Sequence, residues 1–264
     1  MLSAIPGDAA LVAFDLDDTL APSKSPLPPR MGGLLARLIE RVPVGVISGG
    51  NFEQFESQLV AGLEASASAQ QAVTSFGRLH LLPTCGTQYY RWVDGEWVRE
   101  YSEDLSDPER SAALAALETE ARRLGLWEAE TWGPILEDRG TQVTFSALGQ
   151  AAPVEAKKRW DPTGTRKNAL AAAVQALLPD LEVRSGGSTS VDITRRGIDK
   201  AYGMRRLAER TGIDLADMAF VGDRLDESGN DRPVLDLGVH CLAVGGWEAT
   251  ADAVEAFLAL SRGA

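Results

Sequence analysis

The sequence predicts an α/β protein: a doubly wound, parallel-sheet (Rossmann-like) core interrupted by an inserted α+β domain. Three observations predict it. Residues 11–52 read as strand, helix, strand and helix start, the order of a parallel sheet. From about Tyr89 the pattern turns to YYRWVDGEWVREY, two alternating runs joined by Asp94-Gly95, a hairpin signal that announces antiparallel structure. Near Lys200 the alternation of helix and buried strand returns. On this reading the core is residues 1–90 and 188–264, the insert is residues 91–187, and Gly186 and Gly187 give the second crossing its freedom as a hinge.

Each element has its own signal. Leu11-Val-Ala-Phe14 is an apolar run of the kind buried on both faces of a parallel sheet. After a proline-rich loop, RMGGLLARLIER places Met31, Leu34, Leu35, Leu38 and Ile39 at helical spacing. VPVGVI reads as a second buried strand ending at Ser48, followed by Gly49, Gly50, Asn51 and a helix from Phe52. The insert offers a helix across 108–124, a strand at 141–146, a helix from Arg166 to Leu178 and a strand toward Val183. The core resumes with a helix near Lys200, strands at 218–222 and 241–244, and a last helix after Trp247.

Composition narrows the function. The chain has 264 residues, 44% hydrophobic and 24% charged, enough for one large domain or two ordinary ones. With 26 basic against 38 acidic side chains its net charge is −12, which opposes partners bound by neutralising phosphates, so no nucleic-acid partner is expected. Cys85 and Cys241 are far apart and outside any CxxC spacing, so neither a disulfide framework nor a zinc site is expected. The first fourteen residues lack a basic leader and no stretch reaches membrane-spanning length, so the expected address is the cytoplasm, away from the membrane.

The chemistry gathers at strand ends. Asp15 and Asp17 follow the first strand in the pattern Asp-Leu-Asp-Asp-Thr, and ionised carboxylates are rarely buried unless paired or metal-bound. Residues two apart on a strand point the same way, so the pair can converge on Mg²⁺. Three further elements follow: Ser48-Gly-Gly-Asn51, Gly197-Ile-Asp-Lys200, and Gly222-Asp223 through Asn230-Asp231. Phosphoryl transfer needs a nucleophile, a proton carrier and positive charge around the phosphoryl oxygens. Asp15 suits the first task, Asp17 the second and Lys200 the third. Thr19 would hold the loop, Ser48 and the amides of Gly49 and Gly50 would cradle the phosphoryl group, and Asp223, Asn230 and Asp231 would complete the metal site. Taken singly, the aspartate pair also fits an acidic capping loop, Ser48 a helix N-cap, and Lys200 a solvated first-turn lysine.

Together the four elements resemble the motifs of the haloacid dehalogenase-like phosphotransferase superfamily, in order and spacing along the whole core. The insert, PTCGTQYYRWVDGEW, SGGSTSVDITRRGIDKAYGMRRL and the long last motif resemble subgroup IIB, which holds the eukaryotic-type phosphomannomutases and related sugar-phosphate phosphatases. The resemblance implies that the insert is a cap recognising a small sugar phosphate, that Arg139 binds its distal phosphate, that Ser190 and Asp192 contact the sugar, and that a homodimer can form through the cap. The match is incomplete. Gln150 stands where the mutase has an arginine, Lys157 stands near the place of another, and Asp18 replaces a glycine of the first motif. Lysine lacks arginine's bidentate fork and glutamine carries no charge. These losses favour a phosphatase, with a mutase as the alternative and a catalytically silent binding protein as a third reading. The remaining basic residues of the cluster, Lys158, Arg159, Arg166 and Lys167, read as a solvated helix surface.

Overall fold

The computed structural model describes residues 3–66, 76–227 and 229–260. The chain forms two compact units, Met1–Tyr101 with Asp199–Ala264, and Ser102–Ile198. Among the described residues the first unit carries a seven-stranded sheet. Its strands are β1 (Leu11–Phe14), β2 (Val44–Ile47), β3 (Leu79–Leu82), β4 (Gln88–Val93), β5 (Glu96–Ser102), β10 (Met218–Gly222) and β11 (His240–Ala243), in the order β11-β10-β1-β2-β3-β4-β5. β1, β2, β3, β10 and β11 run parallel, and β4 turns back antiparallel to β3. From β1 the chain moves to β2 and β3 on one side and, later, to β10 and β11 on the other. This reversal of strand order is where ligands of open α/β sheets bind, at the carboxyl ends of the strands.

The alternating inward and outward side chains of these strands fill two cores. Val12, Phe14, Val44, Val46 and Val221 pack under α1 (Pro29–Arg41), α3 (Ala61–Ser66) and α9 (Trp247–Leu260). Leu11, Ala13, Ile47 and Phe220 pack on the opposite face against α7 (Lys200–Thr211) and α8 (Arg232–Asp236). Burial on both faces explains why these strands are continuous apolar runs and not alternating ones. Between β2 and α3 the chain passes through α2 (Phe52–Phe55) and a single π-helical turn, Glu56–Val60. None of the helices in the described residues is long and apolar enough to cross a membrane.

The second unit is a one-sided sandwich. Its sheet has the order β6-β7-β9-β8, built from β6 (Leu136–Asp138), β7 (Val143–Ser146), β8 (Leu181–Ser185) and β9 (Ser190–Arg195), all antiparallel. Val143, Phe145, Val191 and Ile193 meet Ala113 and Leu117 of α4 (Asp107–Arg123) and Leu170 and Val174 of α6 (Thr165–Leu177). Ahead of α6 lies the short α5 (Val154–Trp160). α4 opens with a capping box, in which the Ser106 side chain and the Glu109 amide, and the Glu109 carboxylate and the Ser106 amide, are paired.

The divide falls at Tyr101 and Ile198, not near residues 90 and 187. The Asp94-Gly95 hairpin forms, with both residues at positive φ, yet its strands extend the large sheet. The reason is packing: Tyr89 on β4 is fully buried in the core of the first unit, and Trp92 and Trp97 pack against Phe76 there. At the second crossing, Gly186 and Gly187 lie in the tight turn between β8 and β9, where the Gly186 amide donates to the Ser190 carbonyl at 2.9 Å. They belong to a hairpin and not to a hinge.

A buried histidine gives this core an acid sensitivity. His80 on β3 is hydrogen-bonded through Nδ1 to the Tyr89 hydroxyl at 2.7 Å, and burial, with the Arg91 charge adding to it, pushes the imidazole down to about 4. Its folded value lies below its unfolded one, so the neutral ring's contribution is complete above about pH 6.5 and is lost as pH falls through about 4. His80→Gln is expected to remove up to about 2–3 kcal/mol of the acid-induced loss over that window, read as a shallower fall in melting temperature than the wild type shows.

Candidate active site

Three neighbouring strands deliver the central side chains. β1 lies between β10 and β2, with Phe14 level with Val221 on one side and Val46 on the other. The Asp15 amide continues the ladder by donating to the Val221 carbonyl at 3.0 Å. Asp15, Asp223 and Ser48 therefore leave adjacent strands at the same edge. Lys200 is the first residue of α7, whose N-cap Asp199 accepts from the Tyr202 amide. α7 is seated by a close backbone approach: a Cβ on Gly86, itself at φ +90°, would lie 2.6 Å from the Gly203 Cα, so both positions need glycine.

The Lys200 ammonium is buried and touches two carboxylates, Asp15 Oδ1 and Asp231 Oδ1, each at 2.6 Å. Burial pushes Lys200 down, but Asp15 and Asp231 outweigh it and hold the ammonium well above its ordinary range. The other Asp231 oxygen accepts from the Arg224 amide at 2.9 Å. Thr19, also buried, donates to Asp223 Oδ1 at 3.4 Å. Oxygens of Asp15, Asp223 and Asp231 lie within 4.8 Å of one another. Three carboxylates thus face one ammonium. Burial first, and Asp231 beside it, push Asp15 up to about 8 despite Lys200, and the same two causes raise Asp223.

Asp17 is placed differently. It was expected among the metal ligands, but it stands outside the cluster, and its carboxylate is engaged elsewhere. Oδ1 accepts from the Lys24 amide at 2.8 Å and from Gln58 Nε2 at 3.1 Å; Oδ2 accepts from Gln54 Nε2 at 3.2 Å and lies 3.2 Å from the Lys24 ammonium. Burial opposes ionisation here, but the Lys24 charge and these donors outweigh it and hold Asp17 below the usual carboxylate range. Asn230, expected beside Asp231, is exposed. Ser48 is buried and its hydroxyl accepts from the Gly50 amide at 3.2 Å, while the cap of the following helix is Asn51, which accepts from the Gln54 amide. Ser48 is thus not the N-cap, and Gly49 lies between it and Gly50.

In the second unit the expected substrate residues sit on or beside the sheet. Arg139, after β6, is largely buried and donates from Nε and Nη2 to Glu137 Oε2 at 3.0 and 2.7 Å. Asp192 on β9 accepts from Gln142 Nε2 and Thr144 Oγ1 at 3.0 and 2.8 Å, and Ser190 lies two residues earlier on the same face. Lys157 on α5 donates its ammonium to the Gln150 carbonyl at 2.7 Å.

Comparison with known proteins shows what the chain is similar to. A haloacid dehalogenase-like hydrolase family model matches residues 160–253, a stretch that contains Lys200, Asp223 and Asp231. A phosphomannomutase of Encephalitozoon cuniculi is 22% identical over 253 residues, 90% of this chain and 89% of that protein. Among solved structures, a haloacid dehalogenase-like hydrolase from Bacteroides thetaiotaomicron superposes with a TM-score of 0.61 at 17% identity, covering 93% of this chain and 98% of that one. An N-terminally truncated IMP-nucleotidase of Plasmodium falciparum gives 0.68 at 13%, covering 95% and 70%. Residues 160–253 thus match the haloacid dehalogenase-like hydrolases, and the fold is that of a haloacid dehalogenase-like structure.

The enzyme presents two separate sets of charges at one sheet edge: the cluster around Lys200, and the Asp17 carboxylate with its own partners. Sequence reading found the first set and missed Lys24, Gln54 and Gln58 in the second. Gln54 and Gln58 are four residues apart directly after the Ser-Gly-Gly-Asn element, a spacing that puts two side chains on one helix face and would have flagged them. Lys24 comes from the proline-rich loop, where no periodicity points to it.

Proposed function

We propose that this enzyme is a Mg²⁺-dependent phosphatase of small sugar phosphates, working through an aspartyl-phosphate on Asp15. The single observation that carries the reading is the buried Asp15 carboxylate, held 2.6 Å from the Lys200 ammonium at the carboxyl end of β1 beside Asp223 and Asp231. Three carboxylates against one ammonium leave an excess of negative charge, and an all-oxygen donor set fits a hard divalent ion. Asp15, Asp223 and Asp231 would hold it, and when bound it supplies positive charge to the phosphoryl oxygens.

The chain's own groups supply the remaining steps. An Asp15 carboxylate oxygen attacks phosphorus, and the bond from phosphorus to the sugar oxygen breaks. Asp17 gives that oxygen its proton; a phosphoryl dianion nearby opposes ionisation of Asp17 and so favours the proton-carrying form. Asp17 then takes a proton from water as the water oxygen attacks the phosphorus of the aspartyl-phosphate, releasing inorganic phosphate and restoring Asp15. Lys200 fixes the Asp15 carboxylate and offsets phosphoryl charge, and the Ser48 hydroxyl lies at the neighbouring strand end to hydrogen-bond it.

Hydrolysis is favoured over mutation of the sugar phosphate by the expected distal-phosphate groups: Arg139 is paired with Glu137, Lys157 with a carbonyl, and position 150 is uncharged. A mutase must grip a second phosphate strongly in either orientation. The full-length similarity to phosphomannomutases supports that second reading, with Arg139, Lys157, Ser190 and Asp192 as the sugar-phosphate contacts. Cys85 and Cys241 are not joined in a disulfide, which suits a reducing, cytoplasmic setting. A panel of hexose phosphates assayed together for free phosphate and isomerised product tests the choice. Phosphate release that requires Mg²⁺ and stops with chelator is expected. Isomerisation stimulated by a hexose bisphosphate, with little release, would replace the phosphatase by the mutase.

A further inference from the structure

We infer that Gln58, with Gln54 beside it, is the positioning residue of the Asp17 proton carrier, and that the π-helical turn between β2 and α3 exists in this chain to present it. The inference rests on the reading of Asp17 as proton carrier given above.

Four donors converge on the Asp17 carboxylate, and the two from side-chain amides come from one helical segment. Gln54 and Gln58 are coupled to each other, Gln54 Nε2 donating to Gln58 Oε1 at 3.0 Å, and the Lys24 ammonium donates to Gln54 Oε1 at 2.7 Å. Lys24, Gln54 and Gln58 are thus linked in a chain that closes on both oxygens of one carboxylate, which fixes its rotamer and the plane in which it can meet a leaving oxygen. Gln58 is the interior member: its side chain is buried, and its carbonyl accepts from the Leu27 amide at 2.8 Å, tying the turn to the loop that carries Lys24. Burying a neutral amide that spends one donor on a half-buried carboxylate is hard to explain by packing, since an apolar side chain of the same shape would fill the space at no desolvation cost.

The backbone supplies a second, independent observation. Gln58 sits at the centre of the π-helical turn Glu56–Val60, flanked by α-helix on both sides. A π-turn inserts one residue into a helix, is less favourable than α-helix, and recurs at functional sites. Here the wider turn carries the side chain that reaches Asp17. An amide also offers both donors and an acceptor, so the same side chain can hold the carboxyl when it carries the proton and when it does not.

The test uses leaving groups, because a well-placed acid matters only where the departing oxygen needs a proton. Gln58→Met keeps length and shape and removes the amide. With full-length protein and Mg²⁺, kcat/KM for phenyl phosphate is expected to fall about 10- to 100-fold, part of the 10²–10⁴ typical of general acid catalysis, while that for 2,4-dinitrophenyl phosphate falls less than about 3-fold. Gln54→Met, on the half-exposed outer side, is expected to show the same split more weakly and guards against a folding defect in the first variant. Gln58→Glu, which can neither donate as an anion nor share the site with Asp17 at low cost, is expected to fall at least as far as Gln58→Met on phenyl phosphate. An equal loss on both substrates, or none on either, overturns the inference. Wild-type protein that hydrolyses neither ester overturns the underlying reading and the inference with it, whereas an active wild type that needs Asp17 but not Gln58 overturns the inference alone.

Discussion

Asp15→Asn is expected to lower phosphate release by about 10⁴- to 10⁶-fold, the scale on which losing a covalent nucleophile acts, without lowering stability. The two halves of the prediction separate chemistry from folding. Asp15 is buried beside Asp231, and burial pushes its carboxyl up to about 8, above its unfolded value. A raised acid is destabilising in its ionised form, so its unfavourable contribution grows as pH rises from about 4 toward 8 in metal-free protein. Asparagine removes that contribution and keeps the volume. The variant is expected to melt no lower than wild type at pH 7 without metal, and to show a flatter dependence of melting temperature on pH over that range. An inactive variant that also melts far lower would make Asp15 a structural residue.

Lys200→Met is expected to have the opposite character, losing both activity and stability. Among the described residues the ammonium is the one positive charge between the Asp15 and Asp231 carboxylates, at 2.6 Å from each, and methionine fills its space without charge. Breaking a buried ion pair by removing one partner costs about 3–5 kcal/mol, because the other is left buried and uncompensated. For a chain of this size that is a fall of about 6–20 °C in melting temperature. Adding Asp231→Asn to Lys200→Met is expected to recover part of the fall and none of the activity, since it removes one of the two orphaned charges. A Lys200→Met protein that melts with the wild type would show that the carboxylates find other compensation.

How much of this was legible in the sequence depended on which force shaped each element. β1, β2 and β10 were readable because burial on both faces leaves an uninterrupted apolar run, and the site residues were readable because carboxylates directly after such runs have no packing explanation. β3 was not read: its Leu79-His80-Leu81-Leu82 carries a histidine whose burial makes sense only once Tyr89, nine residues on, is seen to bond it. The hairpin at Asp94-Gly95 was read correctly as a turn, but turn chemistry is local and does not say which sheet its strands join. That choice was made by Tyr89, buried in the core of the first unit, and by Phe76, which lies outside the hairpin and packs against Trp92 and Trp97. Gly186-Gly187 misled for the same reason: two glycines signal freedom, and the connection between two hairpin strands accommodates them as well as a hinge.

The Asp17 surroundings show a different limit. The aspartate itself was plain, but Lys24 comes from a proline-rich loop with no sequence period to follow, and Gln54 and Gln58 carry only a four-residue spacing across a short helix and a π-turn. The resemblance to the phosphomannomutase subgroup pointed outward to the insert for substrate groups. The structure adds that Arg139 and Lys157 already have partners there, which bears directly on whether a second phosphate can be held.

The most direct measurement is a chemical trap of the covalent intermediate. Protein mixed with a ³²P-labelled hexose phosphate and Mg²⁺, quenched in acid within the first turnover and digested, is predicted to carry label on the peptide containing Asp15, released by hydroxylamine as an acyl phosphate should be and absent from Asp15→Asn. Label on another residue, or steady phosphate release from an enzyme that never becomes labelled, would contradict the account.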